Sequence, residues 1–176
     1  DPQTVHFTNH YRTTAAGVTL GGSKELTGNR TLADGDFQFT LYASDSIGSQ
    51  GTQIETVSNV GGNFTFPTMT YSSPGTHYYL VKEEIGSLGG VTYDQSSFLV
   101  EVVVTDNGLG NLLVSKTYKK ATGSGGWNNV DAIGFINSYQ TTGTQVTLTG
   151  SKSLTGGRTL ADGDFQFRLY ESDSNG

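Results

Sequence analysis

Cysteine is absent from this chain of 176 residues. Disulfides, thiolate metal sites and thiol nucleophiles go with it. Charge is sparse at 15% of residues, and the net charge of −6 includes no block of Lys or Arg. Neither nucleic acid nor an anionic membrane therefore finds an electrostatic footing. No apolar run is long enough to span a bilayer, so no membrane insertion is expected in this segment. The three histidines, His6, His10 and His77, lack metal-ligand spacing, and no Ser-His-Asp elbow motif is present. The acidic stretches Asp34-Gly-Asp36 and Asp106-Asn-Gly108 do not complete an EF-hand loop and read as turns. No metal, no cofactor and no enzymatic action on an outside substrate is expected. Asn29-Arg-Thr31 and Asn63-Phe-Thr65 match the glycosylation sequon, a pattern too short to carry a role by itself.

What is present is repetition. Val5 to Gly48 returns as Ile133 to Gly176 at an offset of 128 without a gap, and 30 of the 44 positions are identical. A period of that length exceeds the roughly 20–50 residues of solenoid repeats, so each unit is expected to own a core. The register implies three parts: residues 1–16 as the last strand of a preceding repeat, 17–143 as one complete module, and 144–176 as the first strands of a following repeat. Composition points to an all-β fold, with 25 Gly and 34% hydrophobic residues. Short alternating segments predict strands near 18–23, 37–42, 53–57, 63–66, 77–83, 98–105, 112–119 and 133–139. Gly-rich and Asn/Asp-rich turns at 33–36, 60–63, 73–75, 89–90 and 106–110 supply positions that tolerate positive φ. Ser124 to Asn129 reads as a loop, in which Trp127 is expected to cover one end of a sandwich rather than contact a ligand.

Side chains two apart on a strand share a face. Val18 and Leu20 set an inward parity that reaches Lys24; Tyr79 and Val81 lead to Glu83; Phe135 and Tyr139 bracket Asn137. A lysine, a glutamate and an asparagine thus each point inward from a first, a middle and a last strand. Burying a lone charge costs several kcal/mol, so such groups pair or neutralise. One reading is a Lys24–Glu83 ion pair with Asn137 hydrogen-bonded nearby. The other is chemical: desolvation favours a neutral lysine and a protonated glutamic acid. The amine could then attack the Asn137 carboxamide, with Glu83 moving the proton and ammonia leaving. Parity permits both. Glu84, the rival acid, has outward parity.

Seven segments, in order, resemble the streptococcal-type pilin isopeptide-linkage domain, a relative of the Cna B-type modules of Gram-positive pili and adhesin stalks. They are Val18 to Gly28, Leu32 to Tyr42, Gly62 to Phe66, Pro74 to Glu83, Val91-Thr-Tyr-Asp94, Val102 to Gly108 and Phe135-Ile-Asn-Ser-Tyr139. The resemblance implies an Ig-like, Cna B-type β-sandwich in tandem repeats, on the outside of a cell or in its wall. It implies a shaft or stalk module closed by an intramolecular bond between Lys24 and Asn137, assisted by Glu83. By the repeat, Asn9 stands where Asn137 stands and Lys152 where Lys24 stands, which marks both as cross-link positions of neighbouring partial repeats. The partners implied are neighbouring repeats or subunits of one fibre. A module that binds a host or cell-surface ligand is the alternative.

Overall fold

A computed structural model describes residues 2–173. The chain divides into two units, one reaching Thr142 and one starting at Gly143. The first carries β1 (Ala16–Val18), β2 (Gly21–Thr27), β3 (Gln38–Ser44), β4 (Gln50–Ser58), β5 (Asn63–Thr65), β6 (Met69–Tyr71), β7 (Gly75–Glu83), β8 (Val91–Thr92), β9 (Ser97–Asp106), β10 (Leu112–Ala121), β11 (Trp127–Val130) and β12 (Ile133–Tyr139). There is no helix among the described residues. The chain is all-β.

Two main sheets face each other. One has the order β11-β10-β9-β7-β3-β4 and the other β5-β2-β12-β8, while β1 and β6 form a separate pair. The β9 segment shows why they close: Phe98, Val100, Val102 and Val104 alternate onto the buried face, a period of two that suits β-branched and aromatic side chains on a pleated surface. Phe64 and Phe135 answer from the opposite sheet. Phe39 stacks on Phe64 with ring centroids 3.9 Å apart, and Phe98 meets Phe135 edge-on at 5.0 Å. These aromatics fill the space between the sheets.

The last strand of the module lies beside its second. Strand β12 runs parallel to β2, with Phe135 opposite Lys24 and Asn137 opposite Leu26. Parallel neighbours need a long crossover, and here the whole intervening module supplies it. Gly28, at φ 101°, ends β2 beside the Tyr139 carbonyl, where a Cβ would collide.

Strand positions follow the alternation at all eight expected places, with three differences. The segment expected at 18–23 is divided, because the chain changes sheets at Thr19-Leu20: β1 pairs with β6, and β2 with β5 and β12. The very short β6 and β8 offer too few residues for a period to register. Trp127 opens strand β11 rather than lying in a loop. The turn there is confined to residues 122–126, where Thr122 Oγ1 accepts the Gly126 N–H, and the polar Asn128 and Asn129 disguise the edge strand that follows. The Trp127 Nε1–H donates to the Ile47 carbonyl at 3.0 Å, tying β11 to the turn after β3. Among the turn glycines, Gly35, Gly61, Gly90, Gly108 and Gly110 have positive φ. Gly75 starts β7 instead.

The repeated sequence behaves differently in its two settings. Phe135 is 1% exposed, whereas Phe7, its counterpart 128 residues earlier, is 89% exposed. Residues 2–13 form no strand; Tyr11 donates to Asp106 Oδ1 and accepts from the Gly110 N–H. In the second unit no strand forms among the described residues, yet its local contacts copy the first. Arg158–Asp164 at 2.7 Å matches Arg30–Asp36 at 2.8 Å. Lys152 Nζ lies 4.7 Å from the Phe165 ring centre, as Lys24 Nζ lies 4.5 Å from that of Phe37. Turns form from local sequence, whereas strands need partners.

Replacing Phe39 with Ala, which removes the stacked ring between the sheets, is expected to destabilise the module by about 3–5 kcal/mol. A urea titration of the variant and parent proteins measures it.

Candidate functional site

Lys24, Glu83 and Asn137 meet inside the module. Lys24 projects inward from the middle of β2, Asn137 from β12 beside it, and Glu83 from the last residue of β7 in the facing sheet. Lys24 is 3% exposed, Glu83 7% and Asn137 0%. Two residues on adjacent strands and a third from the opposite layer thus converge because each keeps the parity of its apolar neighbours: Leu26, Val81 and Phe135.

Glu83 is the hub. Its Oε2 accepts Lys24 Nζ at 2.8 Å, and its Oε1 accepts Asn137 Nδ2 at 2.5 Å. The Asn137 Oδ1 accepts the backbone N–H of Asp94 at 2.7 Å. That last contact fixes which way the amide faces. A backbone N–H can only donate, so oxygen must point toward Asp94 and nitrogen toward Glu83. The Phe37 ring lies under the lysine nitrogen, and no buried side-chain nitrogen or oxygen among the described residues lacks a partner.

Burial dominates the electrostatics. Desolvation pushes the Lys24 ammonium below its ordinary value, against the hydrogen bond and charge of Glu83. Desolvation likewise pushes the Glu83 carboxyl up, against the hydrogen bonds from Lys24 and Asn137. Both shifts favour the neutral forms, an amine and a carboxylic acid. Glu84, by contrast, accepts the Tyr42 hydroxyl at 3.1 Å and takes no part in the cluster.

The two partial-repeat positions do not join this cluster. Asn9 is exposed, as is Lys152. Among the described residues no group of His, Cys, Asp or Glu could hold a metal ion.

Residues 20–140 match the family model described as the Spy0128-like isopeptide containing domain, FctA. The chain belongs to this family. A curated relative, a pilin of Streptococcus pyogenes serotype M1, is 29% identical over an alignment covering 57% of this chain and 36% of the pilin. Among solved structures, the T-13 major pilin protein of Streptococcus pyogenes is 22% identical, with a TM-score of 0.49, covering 74% of this chain and 55% of that one. A mutant of the major pilin from the same organism is 23% identical, with a TM-score of 0.46, covering 70% and 50%. The chain therefore spans about a third of the length of the curated relative and about half that of the solved chains.

Within this isopeptide-domain fold, two contributors to the site were not singled out in the sequence. In the sequence Asp94 is only the end of the Val91-Thr-Tyr-Asp94 segment, and Phe37 only the first residue of the strand expected at 37–42. Neither has a parity signal, since one acts through its backbone and the other looks like any apolar wall.

Glu83→Ala would leave the lysine and the Asn137 amide nitrogen buried without their partner. It is expected to cost about 3 kcal/mol or more, whereas Glu84→Ala, at a partly exposed hydrogen bond, should cost about 1 kcal/mol or less. Denaturant midpoints of the two variants separate them.

Proposed function

We propose that this chain is a structural shaft segment of a cell-surface fibre of the pilus type, whose complete module locks itself with an amide bond between Lys24 and Asn137. The observation that carries the reading is one buried carboxylate contacting both an amine and a carboxamide. The family, a domain described as isopeptide-containing, supports it, as does the curated relative described as a pilin. The module spans residues 17–143, with residues 1–16 and 144–176 belonging to neighbouring repeats. Asn9 and Lys152 are the matching cross-link positions of those repeats, and the partners are other repeats or subunits of the same fibre, outside the cell.

The reaction balances within the three side chains. The lone pair of Lys24 Nζ attacks Asn137 Cγ, and Glu83, protonated at the start, gives its proton to Nδ2. The Cγ–Nδ2 bond breaks, ammonia leaves, and the Glu83 carboxylate takes the surplus proton from Nζ, which restores the acid and leaves a neutral amide. Each module reacts once, so the protein is not an enzyme toward other molecules. Closing a loop of more than 100 residues constrains the unfolded chain by about 4–5 kcal/mol, on the analogy of a disulfide. The mechanical consequence is larger. Because β2 and β12 lie side by side, tension entering through β2 can leave through β12 by a covalent path, and reducing agents cannot cut it.

The expected product is about 17 Da lighter than the sequence mass, one ammonia per bond. Intact mass spectrometry of the purified module checks this, with Glu83→Ala expected at full mass; a parent module at full mass would sink the reading.

The pH dependence follows from proton counting. Before reaction the Lys24–Glu83 pair is productive while it holds one proton between them. Acid adds a second proton and leaves an ammonium with no lone pair; alkali removes the first and leaves a carboxylate with nothing to donate. The rate of mass loss in freshly synthesised protein is therefore expected to rise and then fall across a pH series, and a rate indifferent to pH would contradict the shuttle role of Glu83.

A further inference from the structure

We propose that Asp94 completes the cross-linking site, its backbone N–H acting as the oxyanion donor to Asn137 and its carboxylate positioning that donor. This rests on the self-cross-linking reading above and assigns a fourth contributor to the same reaction. Asp94 follows β8 and precedes β9, in a short segment that passes over the last strand. Its N–H donates to Asn137 Oδ1 at 2.7 Å. Its carboxylate is fastened on both oxygens: Oδ2 accepts the Ile136 N–H at 3.0 Å, and Oδ1 accepts the Ser96 N–H at 2.8 Å. One residue thus grips β12 twice, at Ile136 through its side chain and at Asn137 through its main chain.

The chemistry needs such a group. When Lys24 Nζ adds to Cγ, the electron pair of the carbonyl moves onto Oδ1, and that oxygen carries negative charge until the Cγ–Nδ2 bond breaks. A donor already aimed at Oδ1 in a dry site stabilises that charge without reorganising. It also holds the amide with Nδ2 toward Glu83, the side from which ammonia must be protonated and released. The hydrogen bonds from Ser96 and Ile136 outweigh burial and hold the Asp94 carboxyl below its usual range, so it stays an acceptor while Glu83 exchanges protons. The two acids of the site are thereby divided: one moves protons, the other stays ionised and holds the frame.

The test uses the full chain made in a cell-free system, with folding followed by near-ultraviolet circular dichroism and bond formation by intact mass in acid-quenched samples. In protein that has finished folding, Asp94→Ala is expected to slow the loss of about 17 Da by roughly tenfold to a hundredfold, as loosened positioning does. Asp94→Asn keeps one acceptor and should recover part of that rate. Replacing residue 94 by the α-hydroxy acid analogue of aspartate deletes only the N–H and is expected to slow the step by about a hundredfold or more. If folded Asp94→Ala and the ester analogue both bond as fast as the parent, the role of Asp94 is overturned while the cross-link stands. A parent chain that never loses ammonia overturns the cross-link itself.

Discussion

One carboxylate shared between two buried partners organises this module. Glu83 reaches from the last residue of β7 across the sandwich to both Lys24 and Asn137. An unpaired charge at that depth would cost several kcal/mol, so the two sheets can close only when all three side chains are in register. That requirement reaches outward. Parallel pairing of β12 with β2 places lysine and asparagine on adjacent strands, the Phe37 ring lies against the lysine nitrogen, and Phe39, Phe64, Phe98 and Phe135 belong to the same buried core. The same dryness that makes the ion pair expensive pushes both groups toward their neutral, reactive forms.

The partial repeats illustrate the difference between local and long-range information. The Arg158–Asp164 turn and the Lys152–Phe165 contact form in the second unit as their counterparts do in the first. Among the described residues no strand forms there, and Phe7 stays in solvent while Phe135 is buried. A lysine poised over an aromatic ring is thus a local property of the sequence. Its burial against a carboxylate and an amide is a property of the complete module, which brings β2, β7 and β12 together from positions far apart in the chain.

Much of this was legible from alternation alone. Glu83 and Asn137 each sit two residues from a buried apolar neighbour on the same strand and Lys24 two from the partly buried Leu26, and a period of two passes through a polar residue as readily as through a leucine. Glu84 was separated from Glu83 by the same rule and pairs with Tyr42 instead. What alternation could not reveal were features without periodicity. The switch of sheets at Thr19-Leu20 is set by strand partners remote in sequence. The β11 strand is masked by Asn128 and Asn129, because an edge strand need not be apolar on either face. The buried Asn59, which accepts the Phe37 N–H and donates to the carbonyls of Ala33 and Gly61, looks in sequence like one more turn residue. Asp94 contributes a backbone N–H, which every residue but proline possesses and no side-chain pattern announces.

The central claim is that the buried contact among these three side chains becomes a covalent bond. Tandem mass spectrometry of a protease digest of the purified chain tests it most directly. The account predicts a branched peptide in which the segment containing Lys24 is joined through its side chain to the segment containing Asn137, with one ammonia missing. Recovery of the two segments as separate, unmodified peptides would contradict it.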